Sequence, residues 1–198
     1  NLSDTEFRIY EQLFDSEYLK IEVLLKDGRK KIKKKFTRFL NFDFFSKLLF
    51  VTINKVDLFF FDNKFLEYKE KNKIISKLKF IDQVYLYPIK KKYCDWFDSN
   101  EISKLNKYKL DVILRNEFNI IKGEILNLPK FGIWSFHHGD NEFYRGGPAG
   151  FWEVLKNENT TGVTLQKLNN NLDGGDIIDK GYFPTQHTYI RNNSFILE

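Results

Sequence analysis

Apolar residues recur at helix and strand periods along most of the chain. Ser3 and Glu6 have capping-box spacing, and Phe7, Tyr10, Leu13 and Phe14 follow at helical intervals, which predicts a helix over 4–15. Residues 19–25 read as a short strand ended by Asp27-Gly28. Residues 36–75 are expected to be helical or irregular, with Phe-rich runs suited to a buried packing face. Residues 83–87 alternate and stop at Pro88, as a strand does.

The second half carries a clearer pattern. A helix over 101–108 leads into a strand over 111–115, and a helix over 120–126 is closed by Leu128-Pro129. Residues 132–136 form an apolar strand with His137 and His138 at its end. Gly146-Gly147 makes a turn, and Pro148 sits where a first-turn proline is tolerated, ahead of a helix over 149–156. Strands over 162–168 and 177–183 are joined by an Asn- and Gly-rich loop. Strands alternating with helices predict one α/β domain over 1–198, Rossmann-like, with an open, mainly parallel sheet and flanking helices. A fold of this kind opens on a short apolar strand. The sequence begins instead on a helix start and contains no Met, so an N-terminal strand is expected to be missing from it.

Composition narrows the class. Apolar residues make up 42%, with 21 Phe and 10 Tyr, enough for a packed core and against disorder. The single Cys94 excludes an internal disulfide and any multi-Cys zinc site, and fits a cytoplasmic protein. No run of about eighteen apolar residues exists to span a membrane, and no signal-peptide pattern opens the sequence. The net charge of +5 owes much to the run from Arg29 to Lys35. A solvated hairpin or loop after Asp27-Gly28 is favoured over a nucleic-acid surface. A positive field would also steer a phosphate-bearing substrate.

The chemistry concentrates in residues 132–177, which hold His137, His138, Tyr144-Arg145-Gly146-Gly147, Thr161-Gly162-Val163-Thr164 and Asp173-Gly174-Gly175-Asp176-Ile177. In order and spacing this resembles the folate-dependent formyltransferases, over roughly 108–182. Four positions depart from the family pattern. Ser135 stands for its Asn, Gly139 for its Ser, Asn141-Glu142 for its Leu-Pro pair, and Gln166 for a His that often follows Thr-Gly-Val-Thr.

The resemblance implies transfer of a formyl group from N10-formyltetrahydrofolate to an amine. His137 would be the base or polarising group, and Asp173 its partner. Ser135, His138 or Asn141 would steady the oxyanion in place of the missing Asn. Tyr144, Arg145, Gly146 and Gly147 would contact the acceptor, with Arg145 and the bare glycine amides suited to an anion. Phe136, Asp173 and Gly175 would line the folate. Tyr144-Arg145-Gly146 and Trp152 resemble sugar formyltransferases, so the expected partner is a small-molecule amine, a nucleotide-linked amino sugar for preference; a homodimer stays open. Two alternatives accompany this reading: a formyltransferase-like domain that only binds, and a formyltetrahydrofolate hydrolase. No metal is expected, because adjacent histidines on a strand point to opposite faces. Asp176 matches a variable position, and Trp134, Phe151 and Trp152 read as core packing.

Overall fold

The computed structural model describes residues 4–29, 64–116, 118–171 and 175–197. Helix α1 (Asp4–Asp15) forms where the capping box places it. Its Phe7 is fully buried against Leu24 of β1 (Val23–Asp27) and against Ile74 and Leu78 of α2 (Lys64–Leu78). Strand β1 starts later than the apolar run suggests, and it pairs in parallel with β2 (Asp82–Leu86). The Lys30–Lys35 part of the basic run lies outside the described residues, as does most of 36–75.

A hairpin of β3 (Ile89–Lys91) and β4 (Cys94–Trp96) follows, turning through Lys92 at φ 55. The helix expected over 101–108 is split into α3 (Ser99–Ser103), capped by the Asp98 side chain, and a 3-10 turn over Asn106–Tyr108. Strand β5 is reduced to Ile113–Leu114. The helix expected over 120–126 does not form. Ile120–Lys122 is instead strand β6, parallel to β4, and Gly123 at φ 89 separates it from a 3-10 turn over Glu124–Asn127. A left-handed glycine cannot be passed by a continuous α-helix, while Ile121 is buried in the main core by lying beside Asp95.

The last sheet carries the site. Strand β7 (Ile133–His137) is parallel to β5 and antiparallel to β8 (Thr160–Lys167), which is antiparallel to β9 (Asp176–Pro184). The α/β class holds, but the described strand pairing is not mainly parallel: β1–β2, β4–β6 and β5–β7 are parallel, while β3–β4, β7–β8 and β8–β9 are antiparallel. Helix α4 (Phe151–Leu155) is shorter than the expected 149–156 and starts after Gly150 at φ 72, so Pro148 lies ahead of its first turn. Helix α5 (Tyr189–Leu197) closes the chain. Its fully buried Asn192 binds the Gly150 carbonyl at 2.9 Å and Thr161 Oγ1 at 2.9 Å, joining α4, α5 and β8. The main core gathers Leu86, Phe97, Leu105, Ile113, Ile121 and Ile133 beneath β7. A cavity of about 530 Å3 lies between α1, β1 and β5, lined by Ile9, Leu13, Leu24, Leu25, Ile113 and Leu114; neither Ser135 nor His137 lines it.

One ion cluster ties the early strands together. Arg29 donates to both oxygens of the fully buried Asp95, at 2.6 and 2.8 Å, and to Asp27 at 2.6 Å. The Asn119 amide donates to the same Asp95 at 2.9 Å. Burial alone would push the Asp95 carboxyl up, but Arg29 and Asn119 hold it below the ordinary carboxylate range. The first residue of the basic run is therefore structural. Asp95→Ala would strand a partly buried guanidinium and the Asn119 donors, and should lower stability by about 3 kcal/mol in urea unfolding. Because the folded pKa is depressed, the wild-type contribution should be complete at neutral pH. It should fade only as pH falls below the usual carboxylate range.

Candidate active site

Strand β7 alternates. Ile133, Ser135 and His137 share one face, and Trp134 and Phe136 the other. Ser135 is 2% exposed, and its hydroxyl donates to the Phe136 carbonyl at 3.3 Å. His137, half-buried at the strand end, has Nε2 2.8 Å from the Tyr144 carbonyl. His138 lies in the bend just past the strand; burial, then the neighbouring His137 and Arg115 charges, push its pKa down. Among the described residues no group of His, Cys, Asp and Glu is arranged to hold a metal.

The turn after β7 folds back onto the sheet. Asp140 is 5% exposed and is bound from β9 by Lys180 Nζ at 2.8 Å and Tyr182 Oη at 2.7 Å. The Glu142 amide adds a third donor at 3.0 Å. Burial would raise the Asp140 carboxyl, yet these bonds and the Lys180 charge hold it below the usual range. The backbone oxygen of Asp140 accepts from the amides of Phe143 at 3.0 Å and Tyr144 at 2.7 Å. Gly162 makes this approach feasible, since a Cβ there would sit 3.0 Å from Asp140 Cβ and 3.2 Å from its backbone nitrogen. Thr164, fully buried opposite His137, donates to the Gly139 carbonyl at 3.1 Å.

The other candidate residues sort themselves around this turn. Asn141 is 8% exposed, with Oδ1 buried and unbonded and no protein acceptor for its Nδ2 among the described residues. Gln166, opposite Ser135, also has a buried unbonded Oε1. Tyr144 turns its hydroxyl to Glu158 at 2.9 Å. Arg145 donates through Nε to the Asn141 carbonyl at 2.8 Å, while its guanidinium is exposed beside the exposed Gly146 and Gly147. Phe136 is half-buried. Asp173 lies outside the described residues. On one side of it, Lys122 donates to the Asn170 carbonyl at 2.7 Å and the Gly123 amide to Asn170 Oδ1 at 3.1 Å. On the other, Gly175 packs closely on Lys167 and Gln166.

Sequence reasoning missed Lys180, Tyr182 and Glu153. The first two alternate on β9, and only the β8–β9 register places them over Asp140. Glu153 of α4 is 2% exposed; burial chiefly, and Glu158 in addition, push its carboxyl pKa up, while nearby His137 opposes that shift.

Comparison with known proteins agrees with the fold and the motif. A phosphoribosylglycinamide formyltransferase from Bacillus halodurans superposes with a TM-score of 0.53 at 14% identity, covering 98% of this chain and 81% of that one. The methionyl-tRNA formyltransferase of Prochlorococcus marinus strain MIT 9312 is 34% identical over 80 residues. The bifunctional polymyxin resistance protein ArnA of Wigglesworthia glossinidia brevipalpis is likewise 34% identical over 80 residues. Over those 80 residues the chain is similar to formyltransferases, and its fold is similar to that of a formyltransferase. Its match covers 40% of this chain but only 24% of the Prochlorococcus enzyme and 12% of ArnA. No protein-family model matches the chain.

Two sets of substitutions test the packing around this turn. Gly162→Ala should cost about 1–3 kcal/mol by pressing on Asp140, whereas Gly146→Ala, with nothing within 4 Å of the added carbon, should leave thermal unfolding unchanged. Glu153→Gln should help more as pH rises. The folded Glu153 pKa is raised, so its contribution is intact below the ordinary carboxylate value and is lost as pH climbs through the raised one. Melting curves should nearly coincide at pH 4, and the variant should melt higher at pH 8.

Proposed function

We propose that this chain transfers a formyl group from N10-formyltetrahydrofolate to an amine, most simply an amino sugar carried on a nucleotide. The observation that carries the reading is His137. It is a half-buried imidazole at a strand end, braced on the Tyr144 carbonyl, and the turn that follows carries Asn141, whose amide donors meet no protein acceptor among the described residues.

The amine nitrogen attacks the formyl carbon and the carbonyl oxygen becomes an oxyanion. His137 accepts the proton that the amine loses, as an imidazole can near neutral pH. The oxyanion then reforms the carbonyl, the bond to N10 breaks, and N10 leaves with a proton as tetrahydrofolate. Asn141 is the better oxyanion donor of the three candidates. Ser135 spends its hydroxyl on Phe136, and His138 lies in the bend past the strand, where burial disfavours its charged form. Asp173 would keep the His137 charge compensated from the far loop. Phe136 and Gly175 would flank the folate, and the unbonded Gln166 Oε1 and Asn141 Oδ1 suit a ligand rich in N–H donors. The exposed Arg145 guanidinium, with Gly146 and Gly147, would meet the phosphates of the acceptor. The names of the relatives suggest methionyl-tRNA and phosphoribosylglycinamide as further acceptors to try.

A second reading, a domain that binds without reacting, is favoured by Ser135 alone, whose hydroxyl is buried and already committed. Single-turnover assays with formyltetrahydrofolate and a panel of these amines decide between them. Amine-dependent tetrahydrofolate release is expected, reduced about 10²–10⁴-fold in His137→Ala and about 10²–10³-fold in Asn141→Ala. Formate release without an amine would mean a hydrolase. Folate binding with no turnover would mean the binding module.

A further inference from the structure

We propose that Asp140, held by Lys180 and Tyr182, is a positioning residue that fixes His137 in its Nε2–H tautomer through the Tyr144 carbonyl, which makes Nδ1 the nitrogen that exchanges protons with substrate.

The tautomer follows from the partner. A carbonyl oxygen only accepts, so the 2.8 Å contact requires a hydrogen on Nε2. A neutral imidazole carries one such hydrogen, so Nδ1 bears the free lone pair. Among the described residues Nδ1 has no hydrogen-bond partner. The basic atom is therefore on the side of the ring turned away from Tyr144.

The carbonyl is held in place by a closed loop of contacts. The Asp140 backbone oxygen gathers the amides of Phe143 and Tyr144, which fixes the Phe143–Tyr144 peptide and so places the Tyr144 Cα from which the carbonyl projects. The Asp140 carboxylate is anchored to Lys180 and Tyr182 on β9. Strand β9 is paired to β8 with Thr164 opposite Lys180, and β8 to β7 with Thr164 opposite His137. The path thus leaves His137 by its ring, passes through the turn to β9, and returns to His137 by its backbone. Without Asp140, the otherwise exposed stretch of Glu142, Phe143, Arg145, Gly146 and Gly147 would keep the Thr164–Gly139 bond and the Lys180–Glu142 ion pair at 2.9 Å as its side-chain ties to β8 and β9 among the described residues. This chain places an acidic residue just before Asn141-Glu142, the pair that departs from the family pattern, so the clamp belongs to its altered turn.

The inference rests on His137 as the reacting base, but its main test does not need turnover. Long-range nitrogen–proton NMR on ¹⁵N-histidine protein, with His137 assigned by His137→Gln, reads which nitrogen carries hydrogen and whether it is protected from water. The expected wild-type spectrum has a slowly exchanging Nε2–H and an unprotonated Nδ1. Asp140→Ala should lose the protected signal and mix the tautomers, Tyr182→Phe should weaken it, and Asp140→Asn should retain part of it. In the transfer assay Asp140→Ala should lower kcat about 10–100-fold, as a misplaced catalytic group does, with folate KM within about twofold. Hydrogen on Nδ1 in the wild type would overturn the proposal. So would a protected Nε2–H that survives unchanged in Tyr182→Phe and in a folded Asp140→Ala. If no formyl group moves in any assay, the activity reading fails while the spectra still decide the clamp.

Discussion

The β7–β8–β9 ladder is the constraint on which the rest of the site depends. Its antiparallel register sets Thr164 between His137 and Lys180, and Gly162 opposite Tyr182. A turn of short polar residues has little of its own to hold it, since its peptide groups are satisfied equally well by water. Here it is pressed onto the sheet at the one position where no side chain intervenes, and a buried carboxylate joins it to the far strand. The apolar core below β7 makes the ladder rigid, with Ile133 fully buried at the opposite end of the strand from His137.

Charge is used in two different ways. Around Asp95 it joins early strands: Arg29 and Asn119 saturate a carboxylate with no exposure, and Arg29 also pairs with Asp27. Around Asp140 the same chemistry organises a turn beside the His137 imidazole. In both places the desolvation of the carboxylate is more than offset by its donors, so both remain ionised. Glu153 is the opposite case, a buried carboxyl for which burial is the dominant influence and the charge of His137 a lesser opposing one.

The sequence made the long elements legible and the short ones obscure. Helix α1 and strands β7 and β8 follow from periodicity, because each turns one face inward along several residues, while β9 is mostly exposed. The two- and three-residue strands β3 to β6 have no period to read and exist through their partners. Ile120 and Ile121 looked helical until Gly123, at positive φ, broke the run and left them beside Cys94 and Asp95. At the site, the motif marked His137 and Asn141 and the tyrosine turn. It did not mark Lys180 or Tyr182, which reach Asp140 across 40 and 42 residues of chain and become visible only through strand register.

That register also governs which changes the site can absorb. Side chains can be exchanged at 135 or 141 while the backbone frame stays put, whereas a Cβ at Gly139 would sit 3.2 Å from the Tyr144 carbonyl. A single inserted or deleted residue in β8 is different in kind. It would turn Gly162 and Thr164 to the other face and bring Val163 beneath Asp140. Divergence here is therefore wider in side-chain chemistry than in chain length, and a descendant of this site should vary a few identities without changing its count.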